Sequence, residues 1–332
     1  MRPPARPKVR FVLAIALVCV ASAAMAQAVQ KTPRVGVLYM GGPVSSEDSS
    51  VGFGRGMREL GYAAGQNVVL DYRYAEGRPE RLATLAAQLV AAHVDVILAA
   101  GPGPLAAAQQ ATTTIPIVTV AGSDPVRQGW AKTLARPGGM VTGLSVTMPE
   151  LEQKRLEIMK LLLPGVSRIV VIVAPLELGD GGDDISSETV AAAKGMGLKL
   201  QRFPLRSAGD LDGLADALRQ GRAEAVFTVE TNFVVANRKR IAEIAAQAGI
   251  PVIGEFTLFG ADEVLMAYGA DINDLLRRAA THVDRILKGA RPGDLPIERP
   301  TKLELTVNRK VARELGILIP QSVLLRADHI VE

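Results

Sequence analysis

Apolar residues along this 332-residue chain fall in short unbroken runs, each followed by a polar turn and then by apolar positions three and four apart. The runs at 34–39 (RVGVLY), 94–99 (VDVILA) and 115–120 (IPIVTV) lack polar alternation, which suits parallel strands covered on both faces. A further strand is predicted at 67–74. Helical spacing fills the intervals at 51–60, 80–92 and 104–111, and in ERLATLAAQLVAA the residues Leu82, Leu85, Leu89 and Val90 share one face. The order βαβαβαβ marks a doubly wound parallel sheet.

The pattern then restarts. A helix at 151–163, closed by Pro164-Gly165, precedes strands at 168–173, 198–203, 225–229 and 251–253, alternating with helices at 185–195, 210–219 and 235–248. VDVILAAG leading to IPIVTVAG looks like AEAVFTVE leading to IPVIGEF, an internal duplication that predicts two similar lobes. Between them, the strand at 115–120 opens into the turn formers Gly122, Ser123, Asp124 and Pro125, and 141–146 reads as a hinge strand leaving the first lobe. Beyond the duplication come a strand at 264–268, a long amphipathic helix at 271–287, a proline-rich passage at 291–300, a strand at 303–307 and a helix at 309–315. The simplest threading returns 271–287 to the first lobe. Lobe 1 is then 32–145 with 269–298, lobe 2 is 146–268 with 299–332, and three strands between them form a hinge that closes around a ligand.

Composition sharpens this picture at the amino terminus. With 48% hydrophobic residues the chain suits two α/β lobes rather than one core. Arg2, Arg6, Lys8 and Arg10 precede an apolar run at 11–24 and the small-residue site Ala24-Met25-Ala26, the layout of a secretory signal peptide cleaved after Ala26. The run falls short of the roughly 20 residues of a bilayer span. The whole chain has 38 basic and 34 acidic residues, and loss of the leader removes four basic residues and no acid, leaving 34 against 34. A neutral chain lacks the basic excess of a nucleic-acid binder, so no nucleic acid is expected. Cys19, the single cysteine, leaves with the leader, which excludes disulfides and thiolate chemistry from the mature chain. Val18 before it lacks the small size that a lipoprotein signal needs, so no lipid anchor is predicted.

Several stretches resemble the solute-binding proteins of bacterial ABC importers, among them RELGYAAGQNVVLDYRYAEGRPERLATLAAQLV, LARPGGMVTGLS, KRLEIMKLLLPGVSR, RRAATHVDRILKGARPGDLPIERPTKLELTVN and IPQSVLLRADHIVE. Within that family the chain is similar to the group that includes binders of tryptophan and other aromatic amino acids, and the resemblance covers 32–332. It implies a type I periplasmic-binding-protein fold, export to the periplasm, no catalysis and no cofactor. It also implies a small-molecule solute delivered to an inner-membrane permease and its ATPase; a monomer is expected. There are departures: Ser123-Asp124-Pro125-Val126 stands where the family has Gly-Asp-Pro-Val, and Ala174-Pro175 where it tends to show Asn-Pro.

Candidate ligand-binding residues follow the carboxyl ends of the predicted strands, where open α/β sheets bind small molecules. Gly101, Pro102 and Gly103 join a strand to a helix expected to begin at Pro104. Their loop is either a carboxylate site built from helix N-terminal amides or an ordinary βα turn. Ser123 and Asp124 offer a hydroxyl and a carboxylate, although Asp before Pro also caps turns. Tyr39, Ser45 and Ser46 follow the first strand. Ala174 follows the first strand of the second lobe; Glu230, Thr231 and Asn232 follow the third and Glu255 the fourth. Acids there would balance an ammonium group while the Gly-Pro loop takes a carboxylate, dividing an amino acid between the lobes.

Signals of an enzyme are weak. His93, His282 and His329 are scattered, and G-x-S-x-G, P-loop and H-E-x-x-H motifs are lacking. Gly52-Phe53-Gly54-Arg55-Gly56 resembles a dinucleotide fingerprint only in its glycines, with the wrong spacing, and Trp130 suits a packing role better than a ligand stack. A periplasmic sensor presenting its closed form to a membrane receptor is the alternative to an importer component.

Overall fold

Both lobes repeat one unit, a short apolar strand feeding a helix that folds back over it. The structure, a computed structural model, describes residues 31–42, 50–121, 124–146, 149–173, 185–229, 232–255 and 264–332. The expected export leader lies outside the described residues. In the first lobe, β1 (Arg34–Tyr39), β2 (Val69–Tyr74), β3 (Val96–Ala100), β4 (Ile117–Ala121) and β5 (Val141–Ser145) form a parallel sheet ordered β2-β1-β3-β4-β5. Helices α1 (Ser50–Glu59), α2 (Leu82–Ala91) and α3 (Pro102–Ala111) link the first four strands. Every residue of β3, β4 and β5 is buried, as expected of parallel strands with both faces covered.

The second lobe opens with α4 (Pro149–Leu162) and carries β6 (Arg168–Val173), α5 (Ser187–Gly195), β7 (Lys199–Pro204), α6 (Leu214–Gln220), β8 (Ala225–Thr228), α7 (Asn232–Ala236), α8 (Arg238–Gln247), β9 (Val252–Gly254) and β10 (Met266–Ala270). Its strands run β7-β6-β8-β9-β10, the order of the first sheet. The sheet continues through β11 (Leu303–Asn308), antiparallel to β10, and β12 (His329–Val331). The helix expected at 235–248 breaks at Asn237, a residue whose side chain competes with helical hydrogen bonds. β12 and the four-residue α11 (Gln321–Leu324), which follows α10 (Arg309–Glu314), are too short to leave a periodic signal.

Three passages cross between the sheets. The first runs from β5 to α4, and the second from β10 to α9 (Ile272–Leu287). β10 keeps Gly269 and Ala270 in the second sheet, so this crossing falls at Asp271, two residues later than the pattern suggested. Asp271 caps α9 by accepting from the Asn273 amide at 2.8 Å, and Leu275, Leu276, Ala279, Ala280 and Val283 then bury against Val35, Val37 and Leu98 of the first lobe. On the third crossing Glu298 bridges alongside β5: its amide donates to the Gly143 carbonyl at 2.9 Å, and its carbonyl accepts from Ser145 at 2.9 Å. Arg278 of α9 pairs with the Glu298 carboxylate.

The duplication extends to single side chains. Asp95, just before β3, accepts from the Arg34 amide that starts β1, at 2.8 Å. Glu224, just before β8, accepts from the Ser167 and Arg168 amides at the start of β6, at 2.6 and 2.9 Å. In each lobe an acid thereby ties the amino ends of two neighbouring strands together. The glycine cluster of α1 also has a structural use, since methyl groups built at Gly52 and Gly56 would press on Asn273 and Arg277 of α9. These glycines let two helices approach closely.

Candidate functional site

Topology places the site before any side chain does. β5 and β10 both leave their sheets at the carboxyl edge, and β11, antiparallel to β10, enters from that edge. All three crossings therefore join the carboxyl edge of one sheet to that of the other, which defines a cleft between them. Val235 of α7, beyond β8, packs against the cores of both lobes.

On the first-lobe wall, Gly101 ends β3 with φ 108° and caps α3, which starts at Pro102 rather than Pro104. Proline suits this first position because its φ is preset and its missing N–H would have had no helical partner. The earlier start shrinks the expected cluster of amides. Pro102 and Pro104 carry no N–H, and Leu105 donates to the Gly101 carbonyl at 3.0 Å, so of the first three helical positions only Gly103 has an N–H, one without a helical acceptor. Asp124 is exposed, and its Oδ1 accepts from the amides of Val126 at 2.9 Å and Arg127 at 3.0 Å, the turn-capping arrangement. Tyr39 is buried in the core, stacked on Tyr74 at 6.0 Å, which stacks on Tyr72 at 6.0 Å. Burial, then the neighbouring Tyr74, pushes the Tyr72 phenol up to about 12.

On the second-lobe wall, Glu255 follows β9 with its side chain 13% exposed, and its Oε2 lies 3.3 Å from Nη2 of Arg155. Arg155 sits on α4 with no exposed surface. Its Nη1 donates to the Thr228 carbonyl at the end of β8, at 3.1 Å, and its guanidinium lies 4.8 Å from the centre of the Phe227 ring. Sequence reasoning passed over this arginine. The signal was there: Arg155 falls on the buried stripe of Leu151, Met159 and Leu162, where a charge requires a buried partner. Ser45, Ser46, Ser123, Ala174, Glu230 and Thr231 lie outside the described residues, and Asn232 is described only as the first backbone position of α7.

Other polar features lie elsewhere. His93 is exposed, His282 is buried with Nε2 3.1 Å from the Pro296 carbonyl, and His329 lies 3.4 Å from Glu304. Among the described residues there is no group of three or more metal-ligating side chains placed to hold an ion, and no helix is long and apolar enough to cross a membrane. Trp130 is buried in the first-lobe core with Leu38 and Met40. A surface cavity of about 640 Å³, lined by Leu161, Val166, Ile317 and Leu318, lies near the amino ends of β6 and β8, opposite the cleft.

Known proteins share this two-lobed fold. A tyrosine-binding protein of Clostridioides difficile (strain R20291) is 24% identical over 288 residues, covering 87% of this chain and 82% of that protein. An ABC domain from Streptococcus pneumonia, solved in complex with L-Trp, superposes with a TM-score of 0.79 at 26% identity, covering 91% of this chain and all of that one. A conserved domain protein from Vibrio cholerae superposes with a TM-score of 0.80 at 28% identity, covering 90% of this chain and all of that one. The family model described as ABC transporter substrate binding protein matches residues 36–331, nearly the whole of both lobes, and the chain therefore belongs to that family.

Proposed function

We propose that this protein is the extracytoplasmic solute-binding component of an ABC importer. It captures an aromatic amino acid, or a similar carboxylate-bearing solute, between its lobes and hands it to an inner-membrane permease and its ATPase. What supports this reading is that all three crossings join the carboxyl edges of the two sheets, with the Gly103 amide following β3 at one edge and the Glu255 carboxylate following β9 at the other. One wall offers a donor for a carboxylate and the other an acceptor for an ammonium group. The tyrosine- and tryptophan-binding relatives support the solute class. The basic and apolar leader with its Ala24-Met25-Ala26 site supports export to the periplasm. The lobes, 32–145 with 271–298 and 146–270 with 299–332 once Gly269 and Ala270 are kept in the second sheet, close by hinge motion at the three crossings.

A thermal-shift screen of ligand-stripped protein against amino acids, short carboxylates, nucleosides and sugars tests this. A ligand at about 100 times its Kd stabilises by roughly 2.7 kcal/mol, a rise of about 4 °C for a chain of this size. Tyrosine or tryptophan is expected to give that rise, and Gly103→Pro, which removes the remaining first-turn amide at a position that tolerates proline, to abolish it. Hits confined to sugars or nucleosides refute the amino-acid assignment.

A further inference from the structure

Arg155 is, among the described residues, the only arginine or lysine counted as buried. Taking a guanidinium out of water is expensive, and a methionine or leucine on the same stripe of α4 would fill the space without that penalty. The charge is met by three groups, all from the carboxyl edge of the second sheet: the Thr228 carbonyl, the Phe227 ring face and the Glu255 carboxylate. Nε and Nη2 make no hydrogen bond. The arginine thus bolts α4, the helix that enters from the first crossing, to the ends of β8 and β9.

We propose that Arg155 is the positioning residue of the second-lobe wall, holding the Glu255 carboxylate in place as the acceptor for the solute's ammonium group. This rests on the reading of the cleft as an amino-acid site. The guanidinium offsets the carboxylate's charge, so preference for an ammonium group comes from a fixed acceptor rather than from a net negative wall. Without the guanidinium, Glu255 loses its ion pair with Arg155.

The test compares L-tyrosine with 3-(4-hydroxyphenyl)propanoate, which lacks only the ammonium group, by calorimetry on wild type, Glu255→Gln, Arg155→Met and Arg155→Lys. Wild type is expected to prefer L-tyrosine by about tenfold or more, the worth of a hydrogen bond to a charged group. Glu255→Gln and Arg155→Met are each expected to bring the ratio to within about threefold of unity while affinity for the propanoate is kept. Arg155→Lys, whose single ammonium does not span Thr228 and Glu255 as a guanidinium does, falls between. A ratio lost in Glu255→Gln but kept in Arg155→Met overturns the positioning role and leaves Glu255 on the solute. A ratio kept in Glu255→Gln, or a wild type that fails to distinguish the two ligands, overturns the cleft reading and the role of Arg155 with it. Equal weakening of both ligands in Arg155→Met marks a purely structural arginine and also overturns the proposal. Should Arg155→Met not fold, Arg155→Lys decides: a wild-type ratio in that variant overturns the role.

Discussion

Alanine substitutions at two glycines of α1, two residues apart and so on roughly opposite helix faces, should move stability in opposite directions. A Cβ at Gly56 would overlap the Arg277 carbonyl oxygen and lie 2.9 Å from the Cβ of Ala280, closer than real Cβ atoms come, and its obstacles are backbone and a stub side chain that cannot swing away. Relieving that overlap means separating α1 from α9, and overpacking of this kind costs roughly 1–3 kcal/mol. Replacing glycine by alanine inside a helix returns about 1 kcal/mol. Because the obstacles are rigid, the overlap should sit at the high end, for a net loss of about 2 kcal/mol. At Gly54 the added Cβ meets only the Arg58 guanidinium at 3.5 Å and the Tyr72 hydroxyl at 3.8 Å, ordinary contacts, so the helical gain stands alone. At roughly 1.5–2 °C per kcal/mol for a chain of this length, Gly56→Ala should melt about 3–4 °C below wild type and Gly54→Ala about 1.5–2 °C above it. Differential scanning calorimetry reads both. A Gly56→Ala protein that melts with or above Gly54→Ala would refute the close approach of the two helices, and with it the packing explanation of the glycine cluster.

Two further outcomes follow from the same geometry. Gly143 in β5 has φ 138°, and a Cβ there would overlap the Thr119 backbone of β4, so Gly143→Ala should destabilise the first lobe by about 3 kcal/mol or more; a chemical-denaturation midpoint equal to wild type would sink this. The Ser167 amide, with smaller help from the Arg168 amide and the Ser167 hydroxyl and against the effect of burial, holds Glu224 below its ordinary value of 4.5. A lowered folded pKa means that its stabilisation is complete above the unfolded value and is lost as pH falls through the folded one. Melting temperature should therefore drop below about pH 4.5, less steeply in Glu224→Gln, and identical acid slopes for the two proteins would contradict the assignment.

The architecture was legible because its signals are local. Unbroken apolar runs at β1, β3, β4 and β6 reveal strands buried on two faces, and the recurrence of VDVILAAG as AEAVFTVE reveals two lobes built to one order. Even the Asp95 and Glu224 clasps stand at matching places in that repeat. The site was legible only in outline, as loops after strands. Whether the Asp124 carboxylate is available depends on the turn after it, whose amides it accepts. Pro102 rather than Pro104 begins α3, so a row of amides became one. Arg155 is 73 residues from Thr228 and 100 from Glu255, and no local pattern reports a partner that distant. The order of strands and the number of lobes were written in periodicity, which each segment carries alone. The lining of the cleft was decided by tertiary structure, because a buried charge or a close-packed glycine takes its meaning from groups that only the folded chain brings to it.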